Sequence, residues 1–169
     1  MMIERTVDIE APAAIVWQVM ADVEQWSTWT ASITSIVVDP GRGPESGGLG
    51  PGEPGPGELG PGELGPGRSA VVRQPGFPKA RWTVTDWQPG RAFTWESPAP
   101  GVLSVGVHAV EPTGERCCRA TLAISQTGKL SGLLGLLAGR RSVRYVGMER
   151  DGLKARAEEL ARVADGMSG

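Results

Sequence analysis

Residues 79–126 read KARWTVTDWQPGRAFTWESPAPGVLSVGVHAVEPTGERCCRATLAISQ, and this stretch decides the fold. It divides into strand-like segments at 79–88, 91–97, 102–111 and 116–126, separated by the clusters QPG, SPAPG and PTGE. Gly and Pro in those clusters supply the backbone geometry of tight turns. Within the segments apolar and polar residues alternate, as on half-buried strands. Ala80, Trp82 and Val84 share a face, and Phe93 and Trp95 lie opposite Thr94 and Glu96. Cys118, Ala120, Leu122 and Ile124 lie opposite Arg119, Thr121 and Ser125. The segment 102–111 is apolar on both parities, so the face that His108 shares with Gly106 and Val110 is weakly assigned. Short strands joined by tight turns predict an antiparallel meander.

The flanks extend the pattern. Residues 68–75 (RSAVVRQP) predict one more strand, with Ala70, Val72 and Gln74 on one face and Ser69, Val71 and Arg73 on the other. Residues 2–10 form a half-buried strand with Ile3, Val7 and Ile9 inward. Pro12 suits the first turn of a helix reaching about Asp22, with Ile15, Val16, Val19 and Met20 at helical spacing. A short second helix near 22–28 brings in Val23, Trp26 and Trp29, and 32–39 (SITSIVVD) is a strand. From Lys129 to about Ala164, Leu130, Leu133, Leu134, Leu137, Tyr145, Met148, Leu153 and Leu160 recur at helical steps. Glycines at 132, 135 and 139 weaken the early half, which is expected to be irregular. An antiparallel sheet must bury one face, and this helix is the only element large enough to cover it.

Pro40 to Gly67 breaks the pattern. Nineteen of these 28 residues are Gly or Pro, and 50–68 contains GPGEP, GPGEL, GPGEL and GPGR. A period of five is not the three-residue repeat of collagen. With only Leu49, Leu59 and Leu64 to bury, the segment is expected to be a disordered loop within a single domain spanning 1–165. The role of the repeat is open.

Composition narrows the function. A net charge of −2 argues against nucleic acid, and the short basic run Arg140, Arg141 and Arg144 reads as a solvated helix face. No apolar run approaches the roughly 20 residues of a membrane span, so no membrane insertion is expected. The opening MMIERTVDIE does not have the apolar core of a signal peptide, and adjacent Cys117 and Cys118 would point to opposite faces of a strand; both suggest a cytoplasmic protein. One His and neighbouring cysteines do not make a metal site, and no nucleotide or nucleophile motif is present. No cofactor is implied, and the oligomeric state is open.

Four stretches carry a resemblance: IEAPAAIVWQVMADVEQWSTWT (9–30), VRQPGFPKARWTVTDWQPGRAFTWES (72–97), GVHAVEPTGE (106–115) and GLKARAEEL (152–160). Together they resemble the START-like (SRPBCC) superfamily, polyketide cyclase/dehydrase type. The resemblance implies an α+β helix-grip fold, a curved antiparallel sheet wrapped around a long C-terminal helix, with a cavity between them for a hydrophobic ligand. Members include carriers, receptors and cyclases, so the fold does not choose the function.

With strand parity, this proposes Val72, Gln74, Trp82, Val84, Phe93, Trp95, His108 and Leu122 as ligand-binding residues. The same rings could equally fill a core. His108 is the candidate catalytic residue, because an imidazole can exchange protons near neutral pH; a lone strand histidine is more often structural. The expected function is binding of a hydrophobic or aromatic small molecule. The alternative is a cyclase, aromatase or dehydratase of polyketide type acting in the same cavity, with Gln74, His108 and Ser104 as the inward polar groups.

Overall fold

The structure, a computed structural model, describes residues 1–40, 60 and 62–167, the side chains of 133–135 excepted. Its elements run β1 (Met2–Ile9), α1 (Ala13–Ala21), a 3-10 turn (Val23–Gln25), α2 (Trp26–Trp29), β2 (Ser35–Val38), β3 (Ser69–Arg73), β4 (Ala80–Gln88), β5 (Ala92–Ala99), β6 (Val102–Gly114), β7 (Cys117–Thr127) and α3 (Ser131–Gly166). The seven strands form one antiparallel sheet in the order β1-β7-β6-β5-β4-β3-β2. This is the helix-grip arrangement.

The meander accounts for β3 to β7. The first strand adds something that local pattern does not contain: β1 pairs with β7, Ile3 opposite Ile124 and Ile9 opposite Cys118. β2 lies at the far edge of the sheet. The chain therefore crosses from one edge to the other between Ile9 and Ser35, and α1, the 3-10 turn and α2 make that crossing. They cover one end of the concave face, where Val16, Met20, Val23 and Trp26 are buried.

Helix α3 covers the rest. It is continuous from Ser131, so the early glycines do not interrupt it. Its inward stripe is Ser142, Val146, Glu149, Leu153, Ala157 and Ala161, set at helical steps. This phase differs from the leucine-based one: Leu137 is 76% exposed, and Leu133 and Leu134 lie outside the described side chains. The alanines let the C-terminal half pack closely on Ile9, Cys118 and Ala120 of β1 and β7. Gly152 allows the other close approach, since a Cβ there would lie 2.4 Å from the Trp29 carbonyl oxygen.

Two details depart from the expected pattern. A bulge between Val84 and Asp86 places Trp87 opposite Phe93, so Trp87 shares the inner face with Val84 despite its odd number. Of the Gly/Pro segment, residues 41–59 and 61 lie outside the described residues. Its last residues are packed: Leu64 is 4% exposed in a cluster with Val23, Trp26 and Val84. The Gly67 N–H donates to Val84 O at 3.1 Å, and Arg68 Nη2 donates to Gly60 O at 2.9 Å. The segment expected to be a disordered loop, with three leucines too few to bury a core of their own, thus contributes one of them to the core of the domain. Among the described residues no helix is long and apolar enough to cross a membrane.

Candidate functional site

Between the sheet and the N-terminal half of α3 lies a cavity of about 560 Å³. That far exceeds the packing voids of an ordinary core and falls within the range of small-molecule sites. Trp26 from α2, Trp82 from β4 and Trp95 from β5 form its aromatic wall. Trp95 packs 5.2 Å from Trp82 and 5.7 Å from Trp26, centroid to centroid. Gly106 makes room for this wall: a Cβ there would lie 2.5 Å from Trp95 Nε1.

Val72, Gln74, Trp82, Trp95, His108 and Leu122 all border the cavity. Val84 and Phe93 do not. Both are buried on the concave face, but toward the end that the short helices cover. Phe93 lies under Trp17 and stacks on His108 at 4.7 Å, so His108 and the aromatic wall stand between it and the space. Parity selects the inner face; it does not distinguish the filled end of that face from the open one.

His108 is 5% exposed and boxed by Phe93, Trp95 and Trp26, with centroids at 4.7, 5.8 and 5.0 Å. Burial drives its pKa down to about 3. The ring is therefore neutral at physiological pH. Among the described residues its Nδ1 has no hydrogen-bond partner.

Sequence reasoning missed the group best suited to proton exchange. Glu149 is 9% exposed on the inward stripe of α3, and it borders the cavity. Its Oε1 accepts a hydrogen bond from Ser32 Oγ at 3.0 Å, and the Ser32 and Thr30 hydroxyls are 2.9 Å apart. Burial raises its pKa from 4.5 to about 7, the Ser32 bond opposing the rise. A signal existed: Glu149 stands one turn from both Tyr145 and Leu153, an acid inside an apolar stripe. Gln126 was also legible, since it shares the parity of Leu122 and Ile124. Its Nε2 donates to Ser104 Oγ at 3.4 Å, while its buried Oε1 has no partner.

The rim is built by the β3–β4 turn and α3. Tyr145 Oη donates to Pro75 O at 2.7 Å, Arg141 donates to Gly76 O, and the Arg141 guanidinium lies 5.5 Å from the Phe77 ring centre. Lys79 and Arg81 also stand at the rim, both exposed, with Arg81 paired to Asp39.

Comparison with known proteins agrees with this geometry. The family described as polyketide cyclase / dehydrase and lipid transport matches residues 2–164. No curated protein matches the chain. Among solved structures, a hypothetical protein of Helicobacter pylori is similar at 14% identity and TM-score 0.72, over 93% of this chain and 88% of its own. The Zhui aromatase/cyclase from Streptomyces sp. R1128 is similar at 19% identity and TM-score 0.65, over 97% of each chain. A START superfamily protein from Mycobacterium smegmatis is similar at 14% identity and TM-score 0.62, over 94% of this chain and 98% of its own. At these identities the structural likeness speaks for the fold, and the family match extends across nearly the whole sequence. This chain belongs to the polyketide cyclase / dehydrase and lipid transport family.

Proposed function

We propose that this protein binds a hydrophobic, aromatic small molecule in the cavity beneath α3. The observation that carries the reading is the cavity itself: about 560 Å³ walled by three tryptophans that line the space without filling it. Burying an apolar ligand there removes area from water on both partners, and the indole faces supply stacking surfaces. Val72, Gln74, Trp82, Trp95, His108 and Leu122 are the contacts proposed from the earlier set, with Trp26, Gln126 and Glu149 added.

The test is titration with a neutral fluorescent probe, N-phenyl-1-naphthylamine, followed by quenching of tryptophan emission, with native mass spectrometry for a co-purifying ligand. Trp82 is the variant of choice because it is only half-buried and its loss spares the core. Trp82→Ala should weaken the probe by roughly 10-fold, the loss of one stacked wall. Saturable binding unchanged by that substitution would place the probe elsewhere, and no binding at all would remove the reading.

A second reading, a cyclase, aromatase or dehydratase using the same cavity, is favoured by one observation: Glu149 stands buried at the cavity wall, where burial pushes its pKa up to about 7. Enolisation and water loss need such a group beside a positioned substrate. Turnover of a model β-polyketone that falls by roughly 10²–10⁴ in Glu149→Gln would select this reading.

A further inference from the structure

Glu149 is the sole carboxylate among the described residues that border the cavity. One of its oxygens is held by Ser32, and the other has no hydrogen-bond donor among the described residues. Among those residues no basic side chain pairs with it either, the ion pairs all lying elsewhere. A second acceptor, Gln126 Oε1, is buried at the same cavity and unpartnered. A buried acceptor left unsatisfied is costly, and a buried carboxylate without a counter-charge more so. Gln126 Oε1 and the free Glu149 oxygen can each take a donor, from water or from a ligand that replaces it. The wall points the same way, since indole faces attract cations. His108, being neutral, does not oppose a positive charge in the cavity.

We propose that the cavity is selective for aromatic ligands carrying a basic nitrogen, which binds as an ammonium against Glu149 with the tryptophan faces around it. The proposal rests on the ligand-binding reading above and names its ligand class. An ammonium brings both a positive charge to offset that of Glu149 and N–H donors that its free oxygen can accept. A carboxylate ligand would face repulsion at Glu149, and a neutral alcohol would bring one donor and no charge.

Binding of the cation requires ionised Glu149, so protonation competes with it. The other groups bordering the cavity that can carry charge are His108 on β6, Lys79 before β4, Arg81 on β4 and Tyr145 on α3. His108 is neutral above about pH 3, and Arg81 is paired with Asp39. The amine's affinity is therefore expected to fall about tenfold per pH unit below about 7, where Glu149 takes up its proton. Above that value it should be flat.

The experiment compares three matched probes by calorimetry: 2-(1-naphthyl)ethylamine, 2-(1-naphthyl)ethanol and 1-naphthaleneacetic acid, with the full chain as wild type and as Glu149→Gln. At pH 8 the amine should bind wild type about 10- to 100-fold more tightly than the alcohol, the range of a charge-assisted hydrogen bond. In Glu149→Gln the gap should close to within about threefold. Wild-type titrations at pH 6 in two buffers of different ionisation enthalpy should show proton release with the amine and none with the alcohol, a readout that needs no variant. Equal binding of amine and alcohol to wild type would overturn the proposal while leaving the cavity reading intact. So would an amine preference that persists in Glu149→Gln. Binding of none of the three would remove the cavity reading as well.

Discussion

Glu149 makes the stability of this protein depend on pH with a sign opposite to that of most carboxylates. Its pKa in the folded chain is about 7, against an ordinary 4.5. Between those values the folded state holds the proton more tightly than the unfolded chain does, so stability falls as pH rises through that window and levels off above about 7. At pH 8 the burial of the ionised carboxylate costs about 3 kcal/mol relative to pH 4. Glu149→Gln removes the titration, and its amide oxygen can still accept from Ser32. Any fixed effect of the amide group shifts all pH values alike, so the observable is the slope. The difference in unfolding free energy, variant minus wild type, should grow by about 3 kcal/mol between pH 4.5 and pH 8. With a melting-temperature change of roughly 2–4 °C per kcal/mol for a chain of this size, that is about 6–12 °C. The assay is urea unfolding followed by tryptophan fluorescence at half-unit pH steps, both proteins in the same buffers. The titration of His108 occurs in both and cancels. A difference that stays constant from pH 4.5 to 8 would mean that Glu149 ionises as in water, and would refute the burial argument.

Three further outcomes follow from particular contacts. His108 has its pKa lowered to about 3 by burial, so the protein should lose stability as pH falls from 6.5 toward 3; acid titration of His108→Gln should show a shallower loss, and an unchanged profile would contradict the aromatic box. Leu64→Ala should destabilise by about 2–4 kcal/mol in chemical denaturation, whereas replacing residues 43–58 with a short Gly/Ser linker should shift the melting temperature by only about 2 °C, since closure entropy changes slowly with loop length. Tyr145→Phe removes the hydroxyl bond to Pro75 that ties the β3–β4 turn to α3. Stopped-flow measurements should show faster probe entry and exit with little change in affinity, and unchanged rates would mean that ligands do not pass this rim.

The sequence by itself determined what is local. Alternation at period two placed Ala70, Val72, Trp82, Trp95, Leu122 and their neighbours on one face of the sheet, and helical spacing announced a long C-terminal cover. The four matching stretches pointed to the family. These signals survive without coordinates because each depends only on neighbours a few residues apart.

Tertiary structure decided the rest, and in each case the reason is a contact between distant residues. Pairing of β1 with β7 sends the chain across the concave face, and only that crossing decides that Phe93 and Val84 lie in a filled end while Trp82 and Trp95 face an open one. The bulge beside Thr85 turns Trp87 inward, which an unbroken alternation would deny. Leu64, unremarkable inside a Gly/Pro repeat, finds its place against Val84 and Trp26. The phase of α3 was hidden by Leu136 and Leu137, which face outward near its start, while Ser142, Val146, Glu149, Leu153, Ala157 and Ala161 form the stripe that faces in. Glu149 could be seen in the sequence as an acid beside apolar residues; that it is buried, bound to Ser32 and without a counter-charge follows only from the packing of α3 over the sheet.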